Sequence, residues 1–239
     1  MTTSSGYGQY CPIAVTAEIV AERWTPLVLR ALCMGATRYS EIRESVPRMS
    51  TALLARRLDE LEHAQIITRE KAASGHGHVY RLTPAGEALF PVLEQMGVWA
   101  QQWLRHEITR PENLNPYLLM WEIRRHVRDS QGLQDDRKVV YFRLDGVTAS
   151  KRQYWLVFES DDIDICTRDP GFDVDLWVSG HIRHVVEVWL GHIGLEAALE
   201  DGRLHLDGPT AERRRFRDWF VLSHFATASG SAPESPASG

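Results

Sequence analysis

Apolar positions over the first hundred residues change their period twice. Ile13, Val15, Ile19 and Val20 recur at helical spacing, and Thr25-Pro26 opens a second helical run with Leu27, Val28 and Leu32 as its apolar stripe. Gly35 stops that run, residues 39–45 carry Ile42 inward on a third helix, and Pro47 ends it. Ser50 then stands as an N-cap before a helix reaching about His63. At about 100° per residue, Leu54, Leu58 and Leu61 share one face, while Ala52 and Arg56 point the opposite way with Thr51 beside the N-terminus. From Ile66 the period falls to two, and residues 66–69 and 78–82 read as paired strands around a flexible tip at 72–77. Helices running directly into a hairpin give the order of a winged helix-turn-helix.

Thr83-Pro84 caps a long helix that is predicted to run to about Trp103 through Leu89, Val92, Leu93, Met96 and Trp99. Its apolar stripe is wider than a small winged domain needs, so a partner helix from a second protomer is expected on it. Periodicity stops over residues 109–115, where Pro111 and Asn113 mark a connector. Beyond it a helix at 117–127 precedes four strand-like segments, 138–144, 153–159, 162–168 and 173–178, whose short connections suggest an antiparallel meander. Ile182, Val185, Val186, Trp189, Leu190 and Ile193 form a helical stripe, followed by a turn, a short strand at 203–206 and a last helix at 212–225. The predicted class is α+β. A winged helix-turn-helix domain occupies 11–108, a linker 109–116, and an α+β domain with a mainly antiparallel sheet covered by helices 117–227. Residues 1–10 and 228–239 are expected to be disordered.

The chain has 239 residues, 44% apolar and 25% charged, enough for two cores. No apolar run reaches the length of a membrane span and the polar start is unlike a signal peptide, so no membrane partner and a cytoplasmic location are expected. The net charge of −5 conceals an asymmetry: residues 1–110 hold 12 Lys+Arg against 11 Asp+Glu, and the remaining residues 15 against 21. Five arginines fall between Arg38 and Arg57, where the groove-reading helix is predicted. That pattern points to a double-stranded DNA operator as partner. Arg56 suits a guanine edge, and Ser50, Thr51 and Ala52 form a small polar entry to the groove. Arg38, Arg48 and Lys71 are phosphate candidates, with His76 and His78 beside them on the wing. Each of these could also be an ordinary surface charge.

Cys11-Pro12, Arg23-Trp24 before Leu27-Val28-Leu29, Arg38-Tyr39 before Glu41-Ile42, and the helix from Met49-Ser50 to Leu61-Glu62 together resemble the HxlR family of winged-helix regulators. Leu82-Thr83-Pro84-Ala85-Gly86 is shared more widely, including with the MarR and PadR families. The resemblance implies a homodimer joined through the first and last helices, here Cys11, Ile13, Val92, Met96, Trp99 and Trp103, on a roughly palindromic operator. The chain departs from the family pattern in its Gly75-His76-Gly77-His78 wing, which lacks the usual prolines, and in Ala52, where a basic residue is often found. Residues 115–225 resemble the sterol-carrier-protein-type fold through the strand at 173–178, the helix begun by Ser179 and the segment 194–208. That resemblance implies an apolar cavity for a hydrophobic small-molecule effector.

Trp155, Phe158, Trp177, Trp189 and Trp219 are candidate walls of such a cavity, although aromatic residues at these spacings also build plain core. The Arg213-Arg214-Arg215-Arg217 run reads as a solvated face, with Phe216, Trp219 and Phe220 between its charges. Cys11 could sense oxidants or electrophiles or be a small interface residue, and Cys33 reads as core. Neither His76 with His78 nor His181 with His184 has further ligands converging in sequence, so no metal or other cofactor is expected. No nucleophile–base pair or phosphate loop argues for an enzyme. The expectation is a dimeric transcriptional regulator, read as a repressor. The alternative is a lipid or small-molecule carrier whose winged domain serves only for dimerisation.

Overall fold

In the first part of the chain, helices begin where the sequence removes or satisfies a backbone donor. The computed structural model describes residues 6–73, 76–128, 137–159, 162–220 and 222–226. Contacts divide the chain into two units, Met1–Met96 and Gly97–Gly239. The tail from 228, residues 1–5, and Ser74-Gly75 of the wing tip lie outside the described residues. Residues 6–10 have no regular structure, and Tyr7 N donates to Glu18 Oε1 at 2.7 Å.

Helix α1 spans Pro12–Val20 and α2 Thr25–Cys33, each with proline in its first turn, where the missing N–H has no intrahelical use. Thr25 is not the cap of α2. Trp24 is, in a left-handed conformation at φ 79°. Leu27 is 39% exposed, contrary to the predicted stripe, because Thr25, Val28, Leu29 and Leu32 make the i, i+3, i+4, i+7 set that faces the core. Helix α3 (Tyr39–Ser45) starts where the Glu41 carboxylate accepts from Thr37 N and Arg38 N at 2.7 and 3.0 Å. Helix α4 (Thr51–His63) starts on Ser50, whose Oγ accepts from Leu53 N at 3.3 Å. Leu54, Leu58 and Leu61 of α4 join Val28, Leu29 and Ile42 in one core.

Strands β1 (Ile67–Lys71) and β2 (His78–Leu82) pair antiparallel, from Ile67↔Leu82 to Lys71↔His78. Tyr80 N also donates to Thr37 O at 2.8 Å and Arg38 bridges Val79, so the segment before α3 lines the other edge of β2. Thr83 Oγ1 accepts from Gly86 N at 3.2 Å and opens α5 (Pro84–Glu87). A Cβ on Gly86 would lie 2.2 Å from the Ile66 carbonyl oxygen, so only glycine fits this approach of helix to strand. The predicted continuous helix to Trp103 is broken: α6 is Phe90–Trp103, and Ala88 and Leu89 stand between the two pieces. Pro91 lacks the N–H that a continuous helix would bond to Glu87 O, and Val92 N donates to Leu89 O, three residues back, instead of Ala88 O. The division between units falls within α6.

The second unit continues through α7 (Arg105–Ile108), a 3₁₀ turn (Pro111–Asn113) and α8 (Pro116–Arg128). Its strands are β3 (Lys138–Asp145), β4 (Gln153–Glu159), β5 (Asp162–Cys166) and β6 (Leu176–His181), followed by α9 (Ile182–Trp189), α10 (Leu195–Glu200), β7 (Leu204–Asp207) and α11 (Thr210–Trp219). The sheet order is β5-β4-β3-β6-β7. A meander holds for β3-β4-β5, but β6 returns to the far side of β3 and pairs parallel, so the expected simple meander is corrected. Asp175 makes the return possible: its carboxylate accepts from Val139 N at 2.8 Å and from Lys138 Nζ at 3.1 Å, and its own N donates to Val139 O. The predicted strand at 173–178 therefore starts three residues late. Helix α10 fills part of the predicted turn, and the last helix ends at Trp219, not Phe225.

Helices α8, α9 and α11 place Met120, Ile123, Val185, Val188 and Phe216 on one face of the sheet against Phe142, Leu156 and Val178. Strand alternation sends Val139, Trp155 and Val157 to the other face. No helix among the described residues is long and apolar enough to cross a membrane.

Beside this core, His192 Nε2 meets Gln101 Oε1 at 2.5 Å, and Gln101 is itself buried. Burial, and then the Arg105 charge, hold the His192 pKa below its ordinary 6.5. A lowered folded pKa means the neutral ring is favoured on folding. Its stabilisation is therefore present above 6.5 and lost as pH falls through the lowered folded value. Urea unfolding of the wild type and His192→Asn should show a wild-type advantage at pH 7.5 that shrinks at pH 5; an advantage that grows on acidification would contradict this account.

Candidate nucleic-acid interface

Helix α4 carries two faces with opposite duties. Leu54, Leu58 and Leu61 are fully buried, whereas Ser50, Thr51, Ala52 and Arg56 are exposed. Tyr39 from α3 donates its hydroxyl to Thr51 O at 3.0 Å, which ties the start of α4 to the preceding helix. The pair α3 and α4 thus presents the N-terminal half of the second helix outward, the half that enters a major groove in helix-turn-helix proteins.

The other half of α4 is acidic, with Asp59, Glu60 and Glu62, a composition that would repel phosphates if left uncompensated. Three arginines compensate it. Arg57 is 5% exposed; it donates to Glu22 Oε2 at 2.5 Å, to Glu60, and through Nε to Arg23 O at 3.3 Å. Arg69 on β1 donates to Glu62 at 2.6 Å and to Asp59, and its guanidinium lies 5.9 Å from the centre of the Tyr80 ring. Hydrogen bonds to Glu62 and Asp59 raise the Arg69 pKa further above its ordinary value, so it stays charged. Arg56 donates to Glu60 Oε1 at 2.8 Å. Burial alone pushes the Glu60 carboxyl up, but hydrogen bonds from Arg56 and Arg57 outweigh it and hold the group ionised below the ordinary range.

Arg57 and Arg69 were not among the sequence-predicted site residues, yet the signal was there. Arg57 stands with Leu54, Leu58 and Leu61 at i, i+3, i+4, i+7, inside the buried stripe, and Arg69 alternates with Ile67 on the inner side of β1. Of the five arginines between 38 and 57, one is therefore structural.

The remaining predicted DNA residues fall into two groups. Arg48 and Ser50–Ala52 gather at the start of α4, all exposed except buried Met49 between them. Lys71 and His78 face each other in register at the open end of the wing, with exposed His76 next to Gly77, whose φ of +79° permits the turn. Arg38 joins the wing group, because its backbone bridges Val79.

Of the predicted dimer residues, Val92, Met96, Trp99 and Trp103 are 46, 51, 55 and 57% exposed and follow one another at i, i+4, i+7, i+11 along α6. Ile13 on α1 is 79% exposed, and Cys11 is half-buried at the start of that helix. Cys33 and Cys166 are half-buried, and burial raises both thiol pKa values. The five predicted cavity aromatics do not converge. Phe158, Trp189 and Trp219 belong to the main core, while Trp155 and Trp177 project from the opposite face, each in register with Tyr141, and Trp177 is 43% exposed. Among the described residues no group of three or more His, Cys, Asp or Glu is placed to hold a metal ion.

A helix pair whose second helix is presented outward beside a two-stranded wing defines a winged helix-turn-helix. Residues 19–108 match the family described as HxlR-like helix-turn-helix. YvaP of Bacillus subtilis, an uncharacterized HTH-type transcriptional regulator, is 33% identical over 98 residues, 40% of this chain and 91% of that protein. The HTH-type transcriptional regulator YodB of the same organism is 37% identical over 95 residues, 39% of this chain and 85% of YodB. The reduced form of YodB superposes with a TM-score of 0.36 and 34% identity, over 41% of this chain and 98% of YodB. The chain belongs to the HxlR-like helix-turn-helix family.

Replacing Arg57 with methionine keeps the aliphatic packing and removes three polar contacts. Because Glu22 and Glu60 are about half exposed and can rehydrate, the expected loss is limited to roughly 1–3 kcal/mol. Urea midpoints with an unchanged slope measure it; a neutral result would show that the buried guanidinium contributes nothing to the domain.

Proposed function

We propose that the protein is a homodimeric, sequence-specific DNA-binding transcriptional regulator that acts as a repressor. The observation that carries this reading is the charge arrangement of α4: the exposed face is small and basic at its N-terminal half, and the acidic half is partly neutralised within the domain by Arg57 and Arg69. Arg56 reads base edges, Ser50 and Thr51 meet phosphate oxygens, and Arg38, Arg48, Lys71, His76 and His78 contact the flanking backbone. The ion pair of Arg56 with Glu60 is exposed and worth little, so the guanidinium can leave it for a base. Val92, Met96, Trp99 and Trp103, with Ile13 and Cys11, form the seam between protomers; four large apolar side chains exposed on one helix face support that assignment. Two α4 helices would then read half-sites about 34–36 Å apart.

The second unit is read as the control domain, of sterol-carrier-protein type, binding a hydrophobic effector. Its mainly antiparallel sheet with helices on one face supports this. An effector that favours one spacing of the two α4 helices shifts the population toward or away from the DNA-competent state.

Footprinting on the DNA upstream of the protein's own gene tests the central reading. Arg56→Ala should weaken specific binding by about tenfold to a hundredfold, the value of one bidentate arginine–guanine contact of roughly 1–3 kcal/mol; no protected site for either protein would reject the regulator reading. For the seam, sedimentation of Trp99→Ala/Trp103→Ala should give monomer at micromolar concentration where the wild type is dimeric. Persistence of a dimer would move the interface elsewhere.

A further inference from the structure

One concentration of charge in the second unit has no part in the readings above. Between β7 and α11 lies an open pocket of about 600 Å³, within the range of small-molecule sites. Its apolar lining is half-buried Leu199 and Leu206 over buried Leu204, with exposed His205 beside them, and its wall is formed by the guanidiniums of Arg213, Arg214 and Arg217. The three are not equivalent. Arg217 is committed to Glu196, which accepts from it at 2.6 and 3.2 Å. Arg213 donates to Thr210 Oγ1 at 3.3 Å, a neutral partner that leaves its charge uncompensated. Arg214 has no acidic partner among the described residues, and Arg215, outside the pocket, is the one that faces Glu212, at 3.6 Å. Two uncompensated positive charges therefore overhang an apolar floor.

That combination selects among ligands. A neutral lipid would leave the guanidiniums unpaired, and a bare inorganic anion would leave the leucine floor wet. A long polyanion would meet exposed Asp201 and Asp207 beside β7, on a unit whose acidic residues outnumber its basic ones taken as a whole. We propose that this pocket binds a small amphipathic anion, with a carboxylate or phosphate monoester head on Arg213 and Arg214 and a short apolar body on Leu199 and Leu206. Arginine suits such a head because its planar fork pairs with two oxygens at once. Arg217, held by Glu196 and donating to Arg213 O at 2.7 Å, braces the turn that carries Arg213. The site's regulatory meaning rests on reading the second unit as a control domain; its binding does not.

Calorimetric titration of the full-length protein without DNA separates the two questions. The probes are octanoate, octyl phosphate, inorganic phosphate and octan-1-ol. Octanoate or octyl phosphate should bind, whichever head fits better, with octan-1-ol and inorganic phosphate at least tenfold weaker. Arg213→Gln/Arg214→Gln should weaken the preferred probe by at least tenfold, while Arg215→Gln leaves it unchanged. Equal binding of octan-1-ol, equal binding of inorganic phosphate, or a double variant indistinguishable from wild type would each overturn the proposal. So would a double variant whose only change is lost retention on a polyanion column, since that would make the arginines a nucleic-acid contact. Failure of any of these leaves the footprinting result for α4 untouched.

Discussion

The buried guanidinium of Arg57 is the constraint on which the first unit depends. It reaches from the middle of the recognition helix to Glu22 and to the carbonyl of Arg23, the two residues before Trp24, where the backbone adopts a left-handed conformation that side-chain-bearing residues rarely occupy. A strained turn persists only when its surroundings over-determine it. Here the same group that holds the turn also fixes the position of α4 and absorbs part of its acidity. The presentation of Thr51, Ala52 and Arg56 thus rests on this side chain together with the Leu54, Leu58 and Leu61 core contacts and the Tyr39–Thr51 hydrogen bond.

The second unit obtains its order by a different route. Asp175 closes the chain back onto β3, and every later element takes its place from that return: β6 lies parallel to β3, α9 packs across the helix-covered face, and β7 becomes the edge against β6. A register set by backbone pairing leaves the side chains of the two faces free to differ, which is why one face is a helix-covered core and the other carries the Trp155–Tyr141–Trp177 row. The edge position of β7 also accounts for the pocket beside α11, since no further strand fills that side.

Local signals made the first unit readable in the sequence. Ser50 as a cap, the Leu54-Leu58-Leu61 stripe, the alternation at 78–82 and the stop at Gly35 each act within a few residues, and α3, α4 and β2 have the predicted limits. The family match to residues 19–108 agrees with that reading. What escaped was non-local. The ion-pair partner of Arg57, Glu22, lies 35 residues away, and the parallel return of β6 depends on a carboxylate–backbone bond between Asp175 and Val139, 36 residues apart. Periodicity also overreached at Leu89, where apolar spacing continued through a point at which Pro91 removes the required donor. The five aromatics proposed for one cavity failed to meet for a similar reason: composition marks a residue as apolar, but only strand parity says which side of a sheet it faces.

The separation of duties within α4 leaves its exposed face free to vary. Positions 51, 52 and 56 have exposed side chains that take no part in packing the core, while Leu54, Arg57, Leu58 and Leu61 hold the frame. Ala52 in particular is a vacant letter in an otherwise rigid template. Substitution there meets little resistance from folding, so under the proposed function a change at these exposed positions would alter what α4 reads without disturbing the scaffold beneath it.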